Sequence, residues 1–171
     1  GITKIEIDVN GNVEVSPVQI SETTLQDLED NLLLFFTGFS RSADDILADQ
    51  KEKSLKEDPQ MITNLHSIKL IGMKSLKALE EGKTKRFAEL MNEHWEIKRV
   101  RSTGMSNSEI DNFHDAAIHN GAIGGKLVGA GAGGFLLLYS NNKSKLRQTM
   151  SDLGLQEVRF GFDFEGTKVL L

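Results

Sequence analysis

Apolar positions along the chain change period from two to about 3.6 and back again. Residues 2–9 (ITKIEIDV) alternate in part. Asn10-Gly11 then supplies the signature of a type I′ turn, and Val13 and Val15 resume the alternation, so residues 2–20 are predicted as a hairpin. Ser21 is placed to cap a short helix carrying Leu25 and Leu28. Leu32 to Phe36 is an unbroken apolar run, as expected of a strand covered on both faces, and Thr37-Gly38 ends it.

From Ser42 to about Arg101 the period is helical. Met61, Leu65, Ile68, Gly72, Leu76 and Leu79 recur at three and four, with Pro59 in a first turn where its missing donor costs little. Phe87, Leu90, Met91 and Ile97 define a further helix after Gly82, and Ser106-Asn-Ser-Glu109 reads as a capping box opening a helix with Ile110, Phe113 and Ala117 inward. Glycines cluster next, followed by a strand over 135–139, a helix over 143–153 ended by Gly154, and strands over 157–164 and 168–171. Strands at both ends with helices between predict an α+β domain with an antiparallel sheet and packed helices, not a doubly wound parallel sheet.

Composition narrows the class of function. The 171 residues are 39% hydrophobic and 26% charged, which fits a folded domain. No cysteine is present, so disulfides and thiolate metal sites are excluded, and a reducing, cytoplasmic location is the expectation. No apolar run approaches a membrane span. The net charge of −5 opposes a broad nucleic-acid footprint, and Lys98, Arg99 and Arg101 read as a solvated helix face. The histidines lack metal spacing: His114 and His119 do not form an i, i+4 pair, and His66 and His94 have no partner at a known interval. No metal site and no self-sufficient catalytic constellation is expected from these residues.

The chemistry-bearing signal is the run Gly124 to Leu138. Gly129, Gly131 and Gly134 satisfy G-x-G-x-x-G, but an apolar strand follows where a dinucleotide fold needs a helix N-terminus. Gly133-Gly134-Phe135 stands where a P-loop needs Gly-Lys-Ser/Thr, and the protein-kinase H-R-D and D-F-G runs are missing. Each fixed glycine costs roughly 0.5–1 kcal/mol relative to alanine. So many together predict close approach of the backbone to a ligand or to another part of the chain.

The stretch Gly125-Lys126-x-x-Gly129-Ala130-Gly131-x-Gly133-Gly134 resembles the third signature motif of the GHMP kinases. Upstream, Phe36-Thr-Gly-Phe-Ser-Arg41-Ser-Ala43, Ile46-Leu47, Gln50, His94-Trp95, Ser106-Asn107 and Ile110-Asp111, with the ending Phe162-Asp-Phe-Glu-Gly166, resemble the heptose-phosphate kinase branch. Val128 departs from the pattern, since many members have Ser or Thr there, and a hydroxyl contact is correspondingly lost.

The resemblance implies a ferredoxin-like C-terminal domain over 21–171, with the 1–20 hairpin belonging to or pairing with an N-terminal domain. That N-terminal domain is implied to carry the Pro-x-x-x-Gly-Leu-Gly-Ser-Ser-Ala loop, the catalytic residues and most contacts to ATP and Mg²⁺. No such loop occurs in these residues, so the fragment alone is expected to be inactive. The implied reaction is phosphorylation of the anomeric hydroxyl of a heptose phosphate. Gly125, Lys126, Gly129, Ala130, Gly131, Gly133 and Gly134 would line the active-site cleft, and Arg41 would bind the sugar phosphate. Two bland readings stand beside these: Lys126 as a surface lysine, and Arg41 as a bridge to Asp44 or Asp45. A different class also stays open, in which the chain is a free-standing ferredoxin-like binding module or associates with a second copy of itself.

Overall fold

A computed structural model describes residues 1–39, 44–101, 104–129 and 133–167. Its first unit is the hairpin β1 (Thr3–Ile7) and β2 (Val13–Pro17), paired antiparallel with Ile5 opposite Val15 and Ile7 opposite Val13. The connection is not the two-residue type I′ turn. Gly11 alone in it has a positive φ, and the Asp8 carboxylate accepts from the amides of Asn10 and Asn12, each at 2.8 Å. An acidic side chain thus organises a wider loop than the Asn-Gly pair alone signals.

Ser21 caps α1 (Glu22–Asn31), its Oγ accepting from the Thr24 amide at 3.1 Å. The helix runs directly into β3 (Leu32–Phe36). Four helices follow: α2 (Asp44–Leu55), α3 (Pro59–Glu80), α4 (Thr84–Arg99) and α5 (Ser108–His119). Asp58 caps α3 through its Oδ1, 2.8 Å from the Met61 amide, with Pro59 in the first turn as the sequence requires. The cap of α5 is Asn107, one residue beyond the expected Ser106. Asn107 Oδ1 accepts from the Ile110 amide, while Ser106 donates its hydroxyl to Asp111.

The chain then forms β4 (Gly124–Val128), β5 (Phe135–Tyr139), α6 (Lys143–Asp152) and β6 (Gln156–Val158). Two expectations change here. The first part of the glycine run is itself a strand, which its glycines and Lys126 disguise. The strand predicted over 157–164 is paired only over Gln156–Val158, opposite Phe36, Phe35 and Leu34 of β3. Residues 168–171 lie outside the described residues.

The main sheet has the order β4-β5-β3-β6, every neighbouring pair antiparallel. With helices between β3 and β4 and between β5 and β6, this is the split βαβ arrangement of a ferredoxin-like α+β fold. Leu33, Phe35, Leu136 and Leu138 bury one face against Ala117 of α5 and Leu146 and Met150 of α6. The other face carries Tyr139, packed with Leu28 of α1, Leu79 of α3 and Ala88 and Met91 of α4. Ile2, Val18, Ile20 and Phe162 cover that cluster from the chain ends.

Candidate functional site

The site is built where α4 lies along β4. Pairing with β5 puts Gly124, Lys126 and Val128 on one face of β4, and Gly125 and Leu127 on the other. A Cβ at Gly124 would stand 1.8 Å from the Ala88 carbonyl oxygen, so helix and strand backbones meet without any intervening side chain. From Ala88 to Lys98 the helix rises about 15 Å. From Gly124 to Gly129 the strand advances about 16 Å. The two elements therefore stay in step, and the Lys98 ammonium donates to the Gly129 carbonyl at 2.6 Å.

The far side of the hairpin is pinned separately. The Gly134 amide donates to Phe39 O at 2.8 Å, and Thr37 donates to Gly134 O through both its amide and its hydroxyl, each at 2.9 Å. A Cβ at Gly133 would lie 2.6 Å from the Phe39 carbonyl oxygen. Glycines at the base of the hairpin thus serve close approach of the chain to itself. Gly129, exposed at the rim with a φ of 95°, is the described glycine of the motif left free of such packing.

Positive charge collects beside this rim. Lys126 shares the α4-facing side of β4 with Gly124, and its own side chain is largely covered. Burial, with Lys98 and then Arg101 adding repulsion, holds its pKa down to about 8. Burial also depresses Lys98, with Arg101 reinforcing it, and burial depresses Arg101. His94, one turn before Lys98 on α4, is pushed down to about 4 by burial first and then by Lys126, Lys98 and Arg101. It is neutral at pH 7. Among the described residues none of Lys98, Arg101 and Lys126 joins an ion pair, although the chain carries many others. The Arg101 Nε and His94 Nδ1 atoms are buried with no hydrogen-bond partner. Unpaired buried cations cost stability unless an anion joins them.

The structure corrects the reading of the basic stretch after α4. Arg99 is the solvated member, paired with Glu96 at 2.6 Å and Asp111 at 3.5 Å. Lys98 is only 7% exposed. The signal was present: Ala88, Met91, Trp95 and Lys98 follow at intervals of three and four, so Lys98 continues the buried stripe. Lys126 is likewise no surface lysine. Gly125, Lys126, Gly129, Gly133 and Gly134 fall on or beside one hairpin, whereas Ala130, Gly131 and Arg41 lie outside the described residues. Among the described residues no group of three His, Asp or Glu side chains is arranged to hold a metal ion.

Residues 75–154 match the family model for the C-terminal part of GHMP kinases. The chain carries a GHMP kinase C-terminal domain. A D-glycero-alpha-D-manno-heptose 7-phosphate kinase from Campylobacter jejuni is 30% identical over 171 residues, covering 98% of this chain and 50% of the relative. Among solved structures, L. major mevalonate kinase superposes with a TM-score of 0.72 at 20% identity, over 88% of this chain and 44% of that one. A D-glycero-D-manno-heptose 1-phosphate kinase from Bacteriodes thetaiotaomicron gives a TM-score of 0.63 at 22% identity, over 94% and 42%. These two structures share the fold. The chain spans about half the length of each of these three proteins. Within this GHMP domain, the described residues of the glycine motif fall on β4 or between it and β5, and no helix among the described residues is long and apolar enough to cross a membrane.

Proposed function

We propose that this chain is the C-terminal wall of the active-site cleft in an ATP-dependent sugar-phosphate kinase, acting on the anomeric hydroxyl of D-glycero-D-manno-heptose 7-phosphate. The observation that carries the reading is a group of cations, Lys98, Arg101 and Lys126, with no ion pair among the described residues, at the rim of a glycine hairpin within a GHMP kinase domain. Phosphoryl transfer is catalysed mainly by positioning and charge stabilisation, and a rim of this kind offers both. The heptose-phosphate kinase of Campylobacter jejuni supports the choice of sugar.

ATP supplies the transferable γ-phosphoryl group. In the reaction the sugar hydroxyl oxygen bonds to phosphorus, the bond to the bridging oxygen of ADP breaks, and the hydroxyl proton leaves to a base. That base, and the Mg²⁺ ligands, are assigned to an N-terminal domain outside this chain, as the resemblance to the GHMP kinases implies and as suits a chain that spans 50% of its Campylobacter jejuni relative. Residues of this chain exclude water and fix the acceptor, with Gly125, Lys126, Gly129, Ala130, Gly131, Gly133 and Gly134 lining the cleft and Arg41 assisting at the sugar phosphate. The hairpin over 1–20 is the docking element for the N-terminal domain. Ile5, Ile7, Val13 and Val15 share one face of it and are each about three-fifths exposed, an apolar surface that suits a partner domain.

The test is ADP release with ATP and heptose 7-phosphate, run on the full-length product of the gene and on the 171-residue chain. Turnover by the full-length protein alone is expected. Failure of that protein to phosphorylate any sugar phosphate would sink the reading.

A further inference from the structure

From this geometry we infer that Lys98, Arg101 and Lys126 form the seat for the phosphate that the acceptor already carries, a dianionic phosphate monoester, and not for the triphosphate of the nucleotide. The inference rests on the kinase reading for its substrate, and on the cation cluster alone for its chemistry.

Three observations point to an anion of this kind. Lys98 in the last turn of α4 and Lys126 on β4 come from two elements whose relation the Gly124–Ala88 contact fixes, and Arg101 follows two residues after the helix with its amide donating to the Lys98 carbonyl at 3.1 Å. Among the described residues they have no carboxylate partner, and Arg101 presents a buried Nε with nothing to donate to. The group facing them from α4, His94, has a buried Nδ1 that is also unpartnered. Arg101 also lines a 170 Å³ cleft with Lys53, Asp58 and Asn64, in which the Asp58 carboxylate already accepts from the Met61 amide.

The choice of a monoester over a nucleotide follows from charge. A triphosphate reaches a kinase with much of its charge neutralised by metal ions. A sugar monophosphate brings no metal, so its two charges are met by side chains, and an arginine fork with two ammonium groups matches them. Gly129 leaves room at the rim for the sugar, since among the described residues no atom lies within 4 Å of where its Cβ would stand, and Lys98 engages its carbonyl.

The experiment has two arms. In the first, inorganic phosphate is titrated into the 171-residue chain at constant ionic strength, with chloride as the control anion, and amide and lysine side-chain NMR shifts are followed. Saturable shifts at Gly129 and at the Lys126 side chain are expected with phosphate and not with chloride, weakened at least tenfold by Lys126→Met and by Arg101→Met. No saturable shift, or shifts unchanged by both variants, would overturn the site. In the second arm, the same variants in the full-length enzyme are expected to raise KM for the sugar phosphate at least tenfold while KM for ATP stays within twofold. A raised KM for ATP with an unchanged sugar-phosphate KM would overturn the assignment in favour of the nucleotide. If the full-length protein phosphorylates no sugar phosphate, the kinase reading falls, and the phosphate titration still decides the site.

Discussion

Lys126→Met is expected to stabilise the isolated chain at neutral pH. In the folded protein the ammonium is held to a pKa of about 8, against an ordinary value of 10.5, by burial and by Lys98 and Arg101. At ~1.4 kcal/mol for each unit of pKa, the charged form is penalised by about 3 kcal/mol on folding. The folded pKa lies below the unfolded one, so between about pH 8 and pH 10.5 the unfolded chain binds more protons and stability rises with pH. Below pH 8 the penalty is present in full. Methionine keeps an unbranched apolar stem of similar reach and removes the charge. Urea denaturation in a buffer free of phosphate and sulfate is therefore expected to show a gain approaching ~3 kcal/mol at pH 7, or roughly 6–12 °C in Tm. The gain should shrink through pH 8–10 and vanish near pH 10.5. Equal stability of the two proteins at pH 7 would refute the reasoning, since it would mean that the ammonium reaches water and the cluster is not desolvated.

Four further outcomes follow from the packing and the charges. Gly124→Ala should cost at least the upper end of about 1–3 kcal/mol in urea, because the new methyl meets the Ala88 carbonyl and neither backbone can retreat, whereas Gly72→Ala on α3, with open space around its Cβ, should gain about 0.5–1 kcal/mol. Asn107→Ala should lose about 1 kcal/mol by unmaking the cap on the Ile110 amide, while Ser106→Ala leaves that cap intact and loses less. Tyr139→Phe removes a 2.7 Å hydrogen bond to the Asp27 carboxylate and should cost about 1.5–3 kcal/mol in the same assay. His94 should remain neutral down to about pH 4 in an NMR titration of its ring carbons, and a midpoint near 6.5 would contradict the buried basic surroundings assigned to it.

Much of the fold is legible because periodicity and caps are local. Ser21, Pro59 and Gly154 mark element ends where they are read, and one long helix does cover Met61 to Leu79, but its buried face runs through Met61, Ile71, Ala78 and Leu79 and leaves Leu65 and Gly72 of the predicted stripe exposed. The sequence is least informative where one element's choice depends on another. Gly124 and Gly125 look like loop residues by propensity, yet they are a strand, because α4 packs so closely that only glycine fits at Gly124. Residues 159–164 alternate like a strand, but pairing with β3 stops at Leu34 opposite Val158, and alternation alone does not show where a ladder stops. The candidate site shows the same division. The glycine spacing and Lys126 are visible along the chain, whereas the union of Lys126 with Lys98 and Arg101 exists only once α4 lies on β4.

That union also explains why so costly a residue sits in the strand. Nothing in the fold requires a cation at position 126: the neighbours on its face of β4 are Gly124 and Val128, and an apolar side chain would relieve burial and repulsion together. Lys98 differs, because its ammonium closes the end of β4 through the Gly129 carbonyl and so contributes to the hairpin's shape. A bound dianion would reverse the sign of the Lys126 cost, turning repulsion among three cations into attraction to a common partner. Ligand and stability are then linked: phosphate should raise the Tm of the unaltered chain and leave Lys126→Met, already relieved of its charge, nearly unmoved. If instead phosphate raises both melting temperatures equally, the stabilisation comes from general anion effects, and the lysine has no ligand to justify its burial.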